Sequence, residues 1–216
     1  IRAARAAGSR LLGADPPVTT GEAPGLHMPE AEAEAVRAAY RSAARIIEYG
    51  TGGSTLFAAT ETRASLLGIE SDGAWVARLE GWLDAAGGRR AGIALRHIDI
   101  GPVRSWGMPK DSSGFRHYPS YPLSPWVDPA PGLDPASEPP DLVFIDGRFR
   151  LACFAATVLN ATAPLTILWD DYLDRTGYHR AEALAGPPEM IGRMAKFSWV
   201  PRSLTRHEIN MVIPWF

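Results

Sequence analysis

Cysteine and lysine are scarce in this sequence, and a long apolar run is missing. Its 216 residues include one cysteine, Cys153, which excludes an intrachain disulfide and a metal site built on several cysteines. Because Cys153 falls in an apolar stretch with helical character, we expect a buried, inert thiol and a reducing, cytoplasmic setting. No apolar run approaches the roughly 18 residues of a membrane helix. The net charge of -2 gives no bulk attraction to nucleic acid or anionic lipid.

The chain contains two lysines against twenty arginines, so its arginine-rich start reflects general usage more than a targeting signal. Residues 1–28 are rich in glycine and proline toward their end and are expected to form an N-terminal arm or linker. Hydrophobic residues make up 46% of the sequence, which is enough to bury a full core. We therefore expect residues 29–216 to form a single domain.

Strand and helix patterns alternate from residue 29 onward, which is typical of a parallel sheet with helices on both faces. Two late apolar stretches, residues 195–200 and 208–213, are predicted to pair as an antiparallel hairpin at the sheet edge. The spacing predicts helices from residue 29 to about 40 and over 54–61, 72–86, 148–159 and 178–184, and strands over 46–47, 65–70, 93–98, 141–145 and 164–169.

A glycine-rich segment directly follows the first predicted strand and has the sequence Glu48-Tyr49-Gly50-Thr51-Gly52-Gly53-Ser54-Thr55. Glycines at a strand-to-helix turn let the backbone pass close to a ligand. An acid, Glu70, ends the next strand, where a carboxylate can accept both hydroxyls of a ribose. The two landmarks together predict a nucleoside cofactor.

Other acids also stand where predicted strands end. Asp99 follows the third strand, Asp146 the fourth, and Asp170 with Asp171 the fifth. In an open doubly wound sheet the ligand lies beyond the carboxyl ends of the strands. We therefore expect one crevice to contain all of these side chains.

Four motifs make the chain similar to the class I S-adenosylmethionine-dependent methyltransferases, and the resemblance extends from about residue 29 to the end. Within that superfamily the chain most resembles small bacterial methyltransferase-like proteins of unsettled substrate. The resemblance implies an α/β, Rossmann-like fold with a mostly parallel seven-stranded sheet and an antiparallel C-terminal hairpin. The motifs are Met28-Pro29-Glu30-Ala31-Glu32-Ala33-Glu34, the segment from Glu48 to Thr55, Asp146-Gly147-Arg148-Phe149-Arg150 and Asp170-Asp171-Tyr172.

The same resemblance implies roles for individual residues. Glu48 and the glycine backbone would hold the methionine part of S-adenosylmethionine, Glu70 its ribose, and Asp99 would lie near the adenine. The expected cofactor-binding residues are Glu48, Gly50, Thr51, Gly52, Gly53, Ser54, Glu70, Ser71, Asp99, Ile100 and Asp146.

Asp146, Asp170 and Asp171 also resemble the Mg²⁺ ligands of catechol-type O-methyltransferases, and hard oxygen ligands suit that ion. Those enzymes place a lysine base three residues beyond the first acid, where this chain has Phe149. The alternative is that Asp146 contacts cofactor or substrate while Asp170 or Asp171 caps a helix. Asp146, Arg148 and Asp171 are the expected catalytic residues, and Arg148 or Arg150 is a candidate to hold an anionic acceptor group.

Residues 100–140 form an insertion that is too long for a simple loop and rich in proline and aromatic residues. We expect it to act as a lid over the crevice, with Lys110, Arg116 and His117 as polar contacts. The competing interpretation is a surface flap or a dimer contact.

Methyl transfer from S-adenosylmethionine to an oxygen or nitrogen of a small molecule is the leading hypothesis for function. Two alternatives stay open: a catalytically silent cofactor-binding domain, and an NAD-dependent oxidoreductase, which is disfavoured because Thr55 replaces the third glycine of Gly-x-Gly-x-x-Gly. A small-molecule acceptor is the expected partner, without nucleic acid or membrane, and a homodimer stays open.

Overall fold

The structure is a computed structural model that describes residues 21–128 and 134–216. The expectation for the first twenty residues of the N-terminal arm lies outside the described residues. In chain order the elements are α1 (Glu30–Ser42), β1 (Arg45–Tyr49), α2 (Gly53–Glu61), β2 (Ser65–Glu70), α3 (Gly73–Ala85), β3 (Ile93–His97), β4 (Val103–Arg104), β5 (Met108–Pro109), α4 (Ser120–Val127), β6 (Leu142–Ile145), α5 (Arg150–Asn160), β7 (Leu165–Trp169), α6 (Glu182–Ala185), β8 (Glu189–Ile191), β9 (Met194–Trp199) and α7 (Arg206–Val212).

Seven of these strands form one sheet in the order β3-β2-β1-β6-β7-β9-β8. The pairs among β3, β2, β1, β6 and β7 are parallel, whereas β9 runs antiparallel to both β7 and β8. The predicted Rossmann-like methyltransferase fold is therefore confirmed. Strand order reverses between β1 and β6, which is where an open parallel sheet binds its ligand.

The central strands are buried on both faces because helices cover the sheet from both sides. Every residue of β6 is at most 2% exposed, which explains its uninterrupted run of apolar residues. On one side, α1 buries Val36 and Tyr40 against the sheet. On the other side, α5 buries Cys153 and Phe154. The buried thiol expected from the sequence is thus present, and burial raises the pKa of Cys153 well above its usual value.

The prediction that residues 208–213 form the second strand of the C-terminal hairpin is wrong. Residues 208–213 lie in α7 and in the short 3-10 helix Ile213–Trp215, not in a strand. The Thr205 hydroxyl accepts from the Glu208 backbone N–H at 3.2 Å, and the Glu208 carboxylate accepts from the Thr205 backbone N–H at 2.7 Å. This capping box stabilises the first turn of a helix. The strand that forms the hairpin with β9 is β8, which has only three residues.

The helical part of the 100–140 insertion belongs to the core. Tyr121 of α4 is fully buried, and its ring packs against the rings of Tyr49 and Phe149. The Tyr49 hydroxyl donates to the Pro122 carbonyl at 2.6 Å and accepts from Trp126 Nε1 at 2.9 Å. Helix α4 therefore helps to build the hydrophobic core beside the end of β1.

Within residues 21–128 and 134–216, no helix is long and apolar enough to cross a membrane.

Candidate functional site

A cavity of about 520 Å³ opens at the carboxyl ends of β1, β2 and β6. Its volume is within the range of roughly 300–1,000 Å³ that is usual for small-molecule sites. Eight predicted site residues line it, namely Gly50, Thr51, Gly52, Gly53, Ser54, Glu70, Asp146 and Arg148.

Two glycines let the ends of β1 and β6 approach each other at the floor of this cavity. Gly50 has a φ of 89°, and a Cβ there would lie 2.5 Å from the Gly147 backbone. A Cβ on Gly147 would lie 2.1 Å from the Tyr121 hydroxyl oxygen and 2.7 Å from Gly50 N. No side chain fits between the two strand ends, so the cavity floor is bare backbone.

The chain preceding α1 forms another wall. Residues 22–28, which we call the N-terminal segment, line the cavity next to the glycine turn. A Cβ on Gly53 would lie 2.2 Å from the Gly25 carbonyl oxygen, so the segment rests directly on the start of α2. Part of the predicted arm thus contributes to the site, which the sequence analysis did not anticipate.

Glu70 lies where the sequence predicted it, at the end of β2 and in the cavity wall, with 8% of the residue exposed. Its carboxylate accepts from the backbone N–H groups of Thr51 at 3.2 Å, Ser71 at 2.6 Å and Asp72 at 3.2 Å. Backbone donors therefore fix the carboxylate in place and compensate its charge.

Helix α3 supplies a wall that the sequence analysis did not assign to the site. Asp72 caps this helix by accepting from the backbone N–H groups of Ala74 and Trp75 at 2.9 and 3.1 Å. Trp75 Nε1 donates to the Thr51 carbonyl at 2.8 Å, the Trp82 ring lies 5.7 Å away, and the Arg78 guanidinium lies 5.0 Å above the Trp75 ring. The helical spacing of Trp75, Arg78 and Trp82 was the signal available in the sequence, since it places all three on one face.

Glu48 is not part of the cavity lining and is fully buried beneath the glycine turn. Its carboxylate accepts hydrogen bonds from the hydroxyls of Tyr40 at 3.0 Å, of Thr55 at 2.6 Å and of Ser54. Burial raises the pKa of Glu48 from 4.5 to about 7, and the Ser54, Thr55 and Tyr40 hydroxyls oppose the shift. In this structure Glu48 holds α1 and α2 to β1.

Three other predicted cofactor residues also lie outside the cavity lining. Asp99 is exposed, and its carboxylate accepts from the Gly101 backbone N–H at 2.8 Å. Ile100 is 1% exposed in the main core, and the buried Ser71 hydroxyl donates to the Gly107 carbonyl at 2.9 Å. The turn at residues 105–107, which does line the cavity, covers Glu70 and Ser71 on this side.

Lys110, Arg116 and His117, the polar contacts expected from the insertion, are not among the residues that line the cavity.

The structure brings Asp146, Asp170 and Asp171 together, with one carboxylate oxygen of each within 4.8 Å of the others. Arg150, whose side chain is 4% exposed, lies between them and donates to Asp146 Oδ1 at 2.7 Å and approaches Asp171 Oδ2 at 3.4 Å. Arg193 contacts Asp170 and Asp171, both at 3.2 Å, and Arg175 contacts Asp171 at 2.8 Å. Three guanidinium groups thus compensate the three carboxylates.

These residues do not fit a Mg²⁺ site. Hard carboxylate oxygens suit the ion, and Asp170 Oδ1 has no hydrogen-bond partner among the described residues. However, Arg150 occupies the space between Asp146 and Asp171, and it also donates to the carbonyls of Gly147 at 3.0 Å and Asp146 at 2.9 Å. A divalent cation and this buried guanidinium cannot share the place without strong repulsion.

No family model matches the chain, and no curated protein matches it. Among solved structures, a methyltransferase-like protein from Silicibacter pomeroyi is 40% identical, with a TM-score of 0.80 over 89% of this chain and 97% of that chain. A candidate O-methyltransferase from Klebsiella pneumoniae is 18% identical, with a TM-score of 0.51 over 83% of this chain and 84% of that chain. A cofactor-bound protein from MTB is 17% identical, with a TM-score of 0.53 over 84% and 85% of the two chains. These last two structures, both under 25% identical to the chain, support its fold alone.

The chain therefore belongs to the methyltransferase-like family of the Silicibacter pomeroyi protein.

Proposed function

We propose that the protein binds S-adenosylmethionine in the 520 Å³ cavity and transfers its methyl group to an oxygen or nitrogen of a small molecule. The observation that carries the proposal is that the glycine turn, Glu70 and Asp146, which lie far apart in sequence, line one cavity at the point where strand order reverses. A bound S-adenosylmethionine supplies an electrophilic methyl group on a sulfonium sulfur.

The protein's own contribution is alignment. The bare floor at Gly50 and Gly147 admits a ligand to the backbone, and Glu70 offers a fixed carboxylate for a ribose diol. Positioning of two reactants can lower a barrier by several kcal/mol, so the site does not require a strong base. Asp146 and Arg148 both line the cavity, and burial raises the pKa of Asp146 while Arg150 opposes the shift. Asp146 is the residue we assign to orient the acceptor.

Asp170 and Asp171 serve a structural role in this proposal, since they pair with arginines outside the cavity lining. No step is derived through Mg²⁺, because its place is occupied by Arg150. The proposed setting is the cytoplasm, with a small-molecule acceptor as the partner and without nucleic acid. The aromatic turn at residues 105–107 is the part of the insertion that we propose to act as a lid.

The test is transfer of a labelled methyl group from S-adenosylmethionine into the small-molecule fraction of a bacterial extract. We expect the wild type to label that fraction and Glu70→Gln to lose most of the transfer. Glu61→Gln is the matched control, because Glu61 is exposed at the far end of α2. Labelling that persists in Glu70→Gln would contradict the assignment of the cofactor site. A wild type that binds S-adenosylmethionine without labelling any acceptor would favour a catalytically silent binding domain.

A further inference from the structure

Arg148 differs from Arg150, Arg175 and Arg193 because it pairs with no carboxylate among residues 21–128 and 134–216. Arg78, the other arginine of the cavity lining, is exposed and lies over the Trp75 ring, whereas Arg148 is partly buried. Arg148 lies on the loop after β6 and lines the cavity, and its Nε is buried without a hydrogen-bond partner among the described residues. Arg150, two residues later, turns away and is held by Asp146 and by the carbonyls of Gly147 and Asp170.

The backbone between the two arginines explains why they face different ways. Phe149 has a φ of 51°, a left-handed conformation that is strained for a non-glycine residue. Its ring packs against the rings of Tyr118 and Tyr121 at 4.8 and 5.9 Å, which holds the turn in place. Arg148 is therefore fixed toward the cavity by packing that does not involve its own side chain.

Three of the four acids in the cavity lining are compensated by other groups, and the fourth, Glu22, is exposed and forms no ion pair with Arg148. Glu70 accepts from three backbone N–H groups, Asp72 caps α3, and Asp146 pairs with Arg150. The Arg148 guanidinium is thus left without a counter-charge from these acids. A partly buried guanidinium without a partner favours a ligand oxyanion, and its planar fork matches a carboxylate or phosphate through two parallel hydrogen bonds.

We propose that the methyl acceptor carries an oxyanion, a carboxylate or a phosphate, and that the Arg148 guanidinium binds it in the cavity. The proposal deepens the proposed function, on which it rests, by giving the chemical class of the acceptor. Arg148 has the role of a specificity-determining residue, which selects anionic over neutral acceptors.

The test is calorimetric titration of the protein, free and saturated with S-adenosylhomocysteine, with four probes. These are 4-hydroxybenzoate, 4-hydroxyphenyl phosphate, the neutral isostere 4-hydroxybenzamide and inorganic phosphate. We expect the anionic probes to bind the wild type at least roughly tenfold more tightly than the amide, because charge-assisted hydrogen bonds to arginine provide that preference. Arg148→Gln should abolish the preference and Arg148→Lys should keep part of it.

Arg63→Gln is the matched control, because Arg63 is exposed at the opposite edge of the sheet, before β2. Three results would overturn the proposal: equal affinity of benzoate and benzamide for the wild type, no binding of any anionic probe, or a preference that survives in Arg148→Gln. An Arg148→Gln variant that loses affinity for S-adenosylhomocysteine but keeps the preference for anionic probes would assign Arg148 to cofactor binding instead. If the wild type fails to bind S-adenosylhomocysteine, the proposed function fails, and the titration of the free protein still decides whether Arg148 binds oxyanions.

Discussion

Arg150 is predicted to be the residue whose loss most destabilises the region around the site. Its side chain is 4% exposed and joins Asp146, Asp171 and the carbonyls of Gly147 and Asp170. Arg150→Gln would leave two carboxylates facing each other without the buried cation. Removal of one partner from a buried ion pair costs about 3–5 kcal/mol, which for a domain of this size lowers the unfolding midpoint by roughly 6–20 °C.

The assay is urea unfolding followed by circular dichroism, with thermal unfolding as a second readout. Arg175→Gln is the control, because Arg175 contacts the same Asp171 at 2.8 Å but its side chain is 49% exposed. An exposed pair contributes about 0–1 kcal/mol, so the control should unfold close to the wild type. Equal stability of the two variants would refute the assignment of Arg150 as the buried counter-ion.

Thermal unfolding of the wild type with and without Mg²⁺ tests the conclusion about the metal. Mg²⁺ should not change the stability of the wild type, because Arg150 holds the carboxylates. A Mg²⁺-dependent rise in the wild-type midpoint that is lost in Asp170→Asn would contradict this, since it would show that the ion displaces the guanidinium.

Three further outcomes follow from the contacts around the site. The pKa of Glu48 is raised to about 7, so the folded state keeps a proton that the unfolded state releases above pH 4.5. The free energy of unfolding of the wild type should therefore fall by about 3 kcal/mol between pH 4.5 and 7, relative to that of Glu48→Gln. Parallel pH profiles of the two proteins would contradict this. Gly147→Ala should cost about 1–3 kcal/mol in urea unfolding because its Cβ has no space, whereas Gly177→Ala, with no atom within 4 Å of the added Cβ, should unfold like the wild type. Gly53→Ala should push the N-terminal segment from the glycine turn and speed its cleavage in limited proteolysis; unchanged cleavage would mean that the contact is not maintained in solution.

Much of the sheet was predictable because β1, β2, β6 and β7 are short, mostly apolar runs with a glycine or an acid at their end or directly after it. The predicted strand over residues 65–70 has the bounds observed for β2, and the predicted helix over residues 54–61 starts one residue later than α2. The positions of Glu70 and Asp146 at the cavity wall were also predictable, since parallel strands bring their carboxyl ends to one edge.

The errors occurred where local hydrogen bonds or tertiary packing decide the structure. Residues 208–213 have an apolar pattern that suits a strand, but the Thr205 and Glu208 capping box selects a helix. The true edge strand β8 is too short to show a period. Asp99 stands at the end of a strand as expected, yet its carboxylate binds its own turn at Gly101 rather than the cavity.

Other parts of the site depend on contacts between distant segments. The N-terminal segment reaches the cavity because Gly53 leaves room for Gly25, a close approach that single-sequence patterns do not encode. The pairing of Arg150 with Asp146 and Asp171 likewise depends on the spacing of β6 and β7 in the folded sheet.

The most direct measurement for the central claim is calorimetric titration of the wild type and Glu70→Gln with S-adenosylhomocysteine. We expect one binding site per chain in the wild type and roughly tenfold or more weaker binding in Glu70→Gln, with Glu61→Gln unchanged. Absence of binding to the wild type, or equal affinity for wild type and Glu70→Gln, would contradict the account.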